Sequence, residues 1–176
     1  MKNVLIVVDM QNDFVDGALG TPEAVAIVDK VAEKIKGFDG EIIVTYDTHS
    51  DDYMNTREGR YLPAPHCIKN TAGWQLNEKI QEALQTRPGY KTIYKPTFGS
   101  TRLVEVIREC GCDTADVTLI GLCTDICVVS NALLLKANYP EMNISVDAGC
   151  CAGVTPETHQ AALTTMKMCQ IDVIGE

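Results

Sequence analysis

Val117-Thr118-Leu119-Ile120-Gly121-Leu122-Cys123-Thr124-Asp125-Ile126-Cys127-Val128, running on as Val129-Ser130-Asn131-Ala132-Leu133-Leu134-Leu135-Lys136, decides how this chain folds. Val117–Leu122 is a short apolar run suited to a buried strand. Ile126–Asn138 has helical length and follows Thr124 and Asp125, either of which can serve as N-cap. A strand feeding a helix through so tight a turn is the building unit of a parallel sheet. Cys127 falls in the first helical turn, where the dipole and unpaired N–H groups favour an anion and are expected to lower a thiol's pKa. The same N–H groups suit the oxyanion formed when a thiolate attacks a carbonyl. For this residue taken alone, the alternative is a small buried cysteine packing a helix onto a sheet.

The same alternation runs along the whole chain. Strand-like segments at Val4–Asp9, Glu41–Asp47, Thr92–Lys95, Val117–Leu122, Asn143–Asp147 and Ile171–Ile174 alternate with helix-like segments at Pro22–Lys36, Gly73–Leu84, Ser100–Glu109, Ile126–Asn138 and Pro156–Met168. Six strands and five helices in this order predict an α/β protein: a three-layer α/β/α domain with a six-stranded, mostly parallel sheet covered on both faces. No repeat or Gly/Ser-rich linker divides the chain, so residues 1–176 are expected to form a single domain. Thr48–Ala72 is the longest irregular stretch, and such loops in compact domains are often functional.

Composition narrows the partners. A formal charge of −9 without a Lys/Arg cluster argues against nucleic acid and anionic membrane surfaces and for a small-molecule partner. Val4–Val8 is too short for a signal-peptide core and no apolar run reaches membrane-spanning length, which predicts a cytoplasmic protein. In a chain with an adequate core, most of the eight cysteines are then expected as reduced thiols, Cys110, Cys112, Cys150, Cys151 and Cys169 among them.

Ligands of open parallel sheets bind beyond the carboxyl ends of the strands, and the residues expected there are Asp9, Asp47, Lys95, the Cys123–Cys127 turn and Asp147. A thiol acting on an amide needs a proton acceptor and a donor for the departing nitrogen. Asp9 can serve both needs, with Lys95 holding it ionised and lowering the thiol's pKa. A buried Asp–Lys ion pair pinning two strand ends is the alternative, and spacing alone does not separate the two. In the long loop, Asp47 and His49 lie two apart and face one way if extended, and His66 can return to the same point; one carboxylate and two imidazoles leave open positions on a divalent metal such as zinc, manganese or iron. Cys67 is a conceivable fourth ligand, although in an extended segment it points away from His66. Loop histidines are also commonly solvent-exposed and bind no ion.

These residues together resemble the cysteine hydrolases of the isochorismatase-like superfamily and, within it, the nicotinamidases. Val7-Val8-Asp9-Met10-Gln11-Asn12-Asp13-Phe14 resembles the opening motif, Lys95-Pro96-Thr97-Phe98-Gly99-Ser100 the lysine segment, and Gly121–Val128 the nucleophile turn. The resemblance implies Asp9 as acid/base, Lys95 as its cation, Cys127 as nucleophile and Phe14 as a pocket wall. It also implies a cis peptide between Leu122 and Cys123, and an oxyanion hole from the backbone N–H groups of Cys123 and Cys127. Asp47-x-His49 with His66-Cys67-Ile68-Lys69-Asn70-Thr71-x-Gly73 resembles the metal site that, in nicotinamidases, binds the pyridine nitrogen. The implied activity is hydrolysis of nicotinamide to nicotinate and ammonia through a thioester in NAD salvage, and members of the family often form homo-oligomers. Departures are Thr48 where nicotinamidases commonly have Trp, a short charged loop Ser50–Leu62, and Cys123 where alanine is often found.

Three other readings compete. A metal-free superfamily hydrolase acting on ureido, carbamoyl or enol-ether substrates shares the triad. A flavodoxin or receiver module fails on the placement of its key residues, since Met10–Phe14 follows the first strand where a flavodoxin needs a phosphate loop. A silent thiol or metal-binding protein on the same fold is the third.

Overall fold

The computed structural model describes residues 2–176. Six strands, β1 (Asn3–Val8), β2 (Glu41–Asp47), β3 (Lys91–Lys95), β4 (Asp116–Leu122), β5 (Asn143–Ala152) and β6 (Asp172–Ile174), form one sheet in the order β3-β2-β1-β4-β5-β6. All five pairings are parallel. The order reverses between β1 and β4, where such sheets open a crevice for ligands.

Seven α-helices accompany the sheet: α1 (Asn12–Val15), α2 (Pro22–Gly37), α3 (Arg57–Tyr61), α4 (Glu78–Gln85), α5 (Thr101–Glu109), α6 (Val129–Asn138) and α7 (Pro156–Met168). Alternation along β1 separates the two cores. Val4, Ile6 and Val8 join the apolar residues of α5, α6 and α7 on one face, while Leu5 and Val7 join those of α2 and α4 on the other. α2 shows why the sequence helps: Thr21 accepts from the Ala24 N–H at 3.0 Å, Pro22 opens the helix, and Ala24, Ile27, Val28, Val31 and Ile35 line its buried face. Among the described residues, no helix is long and apolar enough to cross a membrane.

The elements depart from the sequence expectation in five places. α1 and α3 add two short helices to the expected five. The helix expected from Gly73 starts only at Glu78, because Leu76 forms an antiparallel bridge with Gln11 and Asn77 caps the helix through Lys79 N–H. β5 runs five residues beyond Asp147, through Ala148-Gly149-Cys150-Cys151-Ala152, whose small residues resemble a turn in sequence. Asp147 is therefore not at a strand end; it sits within β5 and its carboxylate is paired with Lys34 of α2 at 2.9 Å, away from the site. Finally, Thr124–Val128 forms a π-type turn ahead of α6, with Cys123 at its N-cap position. Thr124 and Asp125 cap nothing there: the Thr124 hydroxyl bonds His159 Nδ1 at 2.8 Å, and the Asp125 carboxylate accepts the Val154 N–H at 3.1 Å.

Candidate active site

Asp9 follows β1 at φ +47°, a left-handed conformation that Asp tolerates better than most residues, and the Gln11 N–H closes the turn onto the Asp9 carbonyl at 2.7 Å. This turn aims the Asp9 carboxylate across the strand ends. Its Oδ1 accepts from Thr45 Oγ1 at 2.6 Å, and its Oδ2 lies 2.6 Å from Lys95 Nζ. Both side chains are fully buried. Lys95 also donates to the Thr97 carbonyl at 3.1 Å, lies 3.4 Å from Cys127 Sγ and is 3.5 Å from Asp47 Oδ1. The ammonium thus stands among a carboxylate, a thiol and a second carboxylate. Burial works against its charge, but the surrounding Asp9, Cys127 and Asp47 hold its pKa above the ordinary lysine range.

The thiol behaves differently from the sequence expectation. Burial, joined by the charge of Asp9, pushes the Cys127 pKa well up, and Lys95 only partly offsets this. A thiol held in this direction would need a base to act as a nucleophile. Asp9 is placed for that work: burial raises its pKa from 3.8 while Lys95 opposes the rise, and a carboxylate of raised proton affinity is a stronger base. The peptide between Leu122 and Cys123 is cis, as the family resemblance implies. The amides of Ile126 and Val128 both donate to the Cys123 carbonyl at 3.1 Å. Among the described residues no loop or turn acceptor engages the N–H of Cys123 or Cys127, the two groups expected to hold an oxyanion. Asn131, fully buried on α6, ties the turn down: it donates to the Cys127 and Phe98 carbonyls at 2.8 and 3.2 Å and accepts from Ser100 N–H at 3.0 Å.

The expected metal ligands also converge. Asp47 Oδ2 lies 2.9 Å from His49 Nε2 and 3.5 Å from His66 Nε2. Glu58, unforeseen in the sequence, completes the group with Oε1 at 3.7 Å from both Nε2 atoms, so that one atom from each of Asp47, His49, Glu58 and His66 lies within 4.8 Å of the others. The signal for Glu58 was the charged loop itself. A five-residue helix capped by Thr56, whose hydroxyl accepts from Gly59 N–H at 3.0 Å, turns that loop's carboxylate inward. Gly59 is required because a Cβ there would run into the Tyr53 carbonyl. Cys67 is not among the converging donors; it is buried in the apolar core that includes Met10 and Trp74. The donors fit a divalent cation: two oxygens and two imidazole nitrogens, with His66 Nδ1 bonded to the Ala64 carbonyl at 2.8 Å so that Nε2 is free to donate its lone pair. Burial alone would raise the Asp47 pKa, yet the hydrogen bonds to His49 and His66, with Lys95 nearby, hold it far below the ordinary range. Burial lifts the Glu58 carboxyl despite the opposing imidazoles.

Cys127 of the first group and Asp47, Glu58 and His66 of the second line one cavity of about 50 Å³, together with Phe14 and Cys123. At ~12 Å³ per water this holds about four waters, or roughly one six-membered ring with a carboxamide. Phe14 packs beside His66 with ring centroids 5.5 Å apart, as a pocket wall should.

Comparison with known proteins identifies the family. The family model described as "Isochorismatase domain" matches residues 3–175. A nicotinamidase/pyrazinamidase of Mycobacterium tuberculosis is 28% identical over 186 residues, covering 97% of each chain. The crystal structure of a nicotinamidase/pyrazinamidase from Bacillus subtilis superposes with a TM-score of 0.86 at 28% identity, over 99% of this chain and 100% of that one. A pyrazinamidase of Pyrococcus horikoshii, solved in complex with zinc, gives 0.81 at 29% identity over the full length of both.

Proposed function

Because the chain belongs to the isochorismatase domain family, we propose that it is a cysteine amidohydrolase converting nicotinamide to nicotinate and ammonia. The observation that carries this reading is that Cys127, backed by the Lys95–Asp9 ion pair, and Asp47, Glu58 and His66 of the four-donor cluster line one cavity sized for a single heteroaromatic ring. The donor set and the zinc-bound relative favour zinc as the ion. When bound, the ion supplies a Lewis-acid contact for the pyridine nitrogen and so orients the ring.

The chain's own residues carry the chemistry. Asp9 takes the proton from Cys127 Sγ, and the thiolate attacks the carboxamide carbon. The oxyanion is received by the Cys123 and Cys127 N–H groups. Protonated Asp9 passes its proton to the departing nitrogen, which leaves as ammonia, and a thioester remains on Cys127. Asp9 then takes a proton from water, hydroxide adds to the thioester, and the collapse expels the thiolate, which regains its proton as nicotinate leaves. Lys95 stays charged throughout, which lets Asp9 give up and regain a proton in a dry site. Eight free thiols fit a cytoplasmic role in NAD salvage.

The test is ammonia release from nicotinamide before and after chelation and zinc restoration, beside Cys127→Ala. The reading requires loss of turnover to background in the variant and metal-dependent turnover in the wild type. Absence of ammonia from zinc-loaded wild type refutes the substrate, and turnover by Cys127→Ala refutes the nucleophile.

A further inference from the structure

Gln11 is fully buried at the same edge, yet no step above uses it. Its carboxamide grips both polar groups of the Asp47 main chain: Oε1 accepts the Asp47 N–H at 2.8 Å, and Nε2 donates to the Asp47 carbonyl at 2.8 Å. Nε2 donates a second time to the Trp74 carbonyl at 2.9 Å. The register explains why a side chain is needed. Pairing between β1 and β2 ends at Val8 opposite Thr45, so Asp47 has β3 on one flank, opposite Lys95, and no main-chain partner on the other. Gln11 supplies the missing partner, presenting a side-chain amide where a neighbouring strand would present its backbone.

The main chain of Gln11 is itself fixed, by its N–H on the Asp9 carbonyl and by its bridge to Leu76. Two residues of one turn therefore reach two centres: the Asp9 carboxylate meets Lys95, and Gln11 meets the backbone that carries the Asp47 carboxylate.

We propose that Gln11 is a positioning residue that fixes Asp47, and with it the metal-binding group, in register with Asp9, Lys95 and Cys127. This rests on the metal reading above. Outer partners of metal ligands commonly matter about 10- to 100-fold in affinity.

Three quantities test the proposal in Gln11→Met, which keeps the volume without hydrogen bonds, and Gln11→Glu, which can accept from Asp47 N–H but cannot donate to either carbonyl. They are the Zn²⁺ Kd by chelator competition, the rate of Cys127 carboxamidomethylation followed on its own peptide by mass spectrometry, and KM against kcat for nicotinamide at saturating zinc. The expected result is a Zn²⁺ Kd raised about tenfold or more, a raised KM with a smaller change in kcat, and a Cys127 alkylation rate within about twofold of wild type. A Kd unchanged in both variants overturns the proposal, as does a Cys127 rate that falls in step with metal affinity, since Gln11 would then merely hold the whole edge together. Wild type that binds no zinc overturns the metal reading and this proposal together, whereas wild-type binding with unaffected variants overturns this proposal alone.

Discussion

Replacing Lys95 with Met removes the ammonium 2.6 Å from the Asp9 carboxylate and leaves that carboxylate fully buried. An uncompensated buried charge costs several kcal/mol, so the carboxyl will instead take up a proton on folding. That choice sets a ceiling on the damage. In the unfolded chain Asp9 titrates near 3.8, about three units below pH 7, and at about 1.4 kcal/mol per unit protonation on folding costs about 4.4 kcal/mol. At pH 5 the same step costs about 1.6 kcal/mol. The sign follows from linkage: the folded variant binds a proton that the unfolded chain releases, so its stability rises as pH falls toward 3.8. Wild-type Asp9 shares this slope only up to its own folded pKa, which burial raises and Lys95 restrains, so the gap between the two proteins widens with pH above that value. Urea unfolding of chelated protein at pH 5.5 and pH 8 measures it. Asp9→Asn added to Lys95→Met should restore most of the lost stability without restoring turnover. An equal loss at both pH values, or no rescue in the double variant, would show that the stranded charge is not what Lys95 prevents.

Other expectations are simpler to check. Asn131→Ala strands the Ser100 N–H and the Cys127 and Phe98 carbonyls, and should cost about 2–4 kcal/mol in denaturant unfolding together with a fall in kcat; unchanged stability would mean that water replaces the amide. Gly59→Ala forces α3 away from the Tyr53 carbonyl and draws Glu58 out of the cluster, so calorimetry should find weaker zinc binding while Cys127 alkylation is unaffected; unchanged binding would remove Glu58 from the ligand set. Burial holds the His159 imidazole below its ordinary 6.5, so below pH 6.5 the unfolded chain protonates first and stability declines. That decline should be shallower in His159→Gln, and identical profiles would refute the assignment.

Much of this could be read from residues alone, for reasons that differ by element. The strand ends were visible because apolar runs stop at charged residues, and Asp9, Lys95 and Cys127 meet because a parallel sheet brings β1, β3 and β4 to one edge. Glu58 was hidden because its position depends on a one-turn helix and a glycine contact, neither of which has a periodic signature. Gln11 carries no separate signal in the sequence, since its place follows from where β1 stops relative to β2, a matter of register. A helix start argues for a lowered thiol proton affinity, whereas burial and the charge of Asp9, which only packing reveals, push it up. Asp147 misled because small residues after it extend β5 where a turn was expected.

β3 lies at the outer border of the sheet and pairs with β2 alone, yet Lys95 stands on its last residue. Border strands fray more readily than central ones. Heat should therefore silence the protein in two stages: a reversible loss of turnover as β3 loosens and carries the ammonium away, and only later the collapse of the five strands behind it. Amides of Ile93–Lys95 exchanging with solvent before those of Ile6–Val8 would be the molecular trace of the first stage, and the working temperature limit would then be set by five residues at the margin and not by the core.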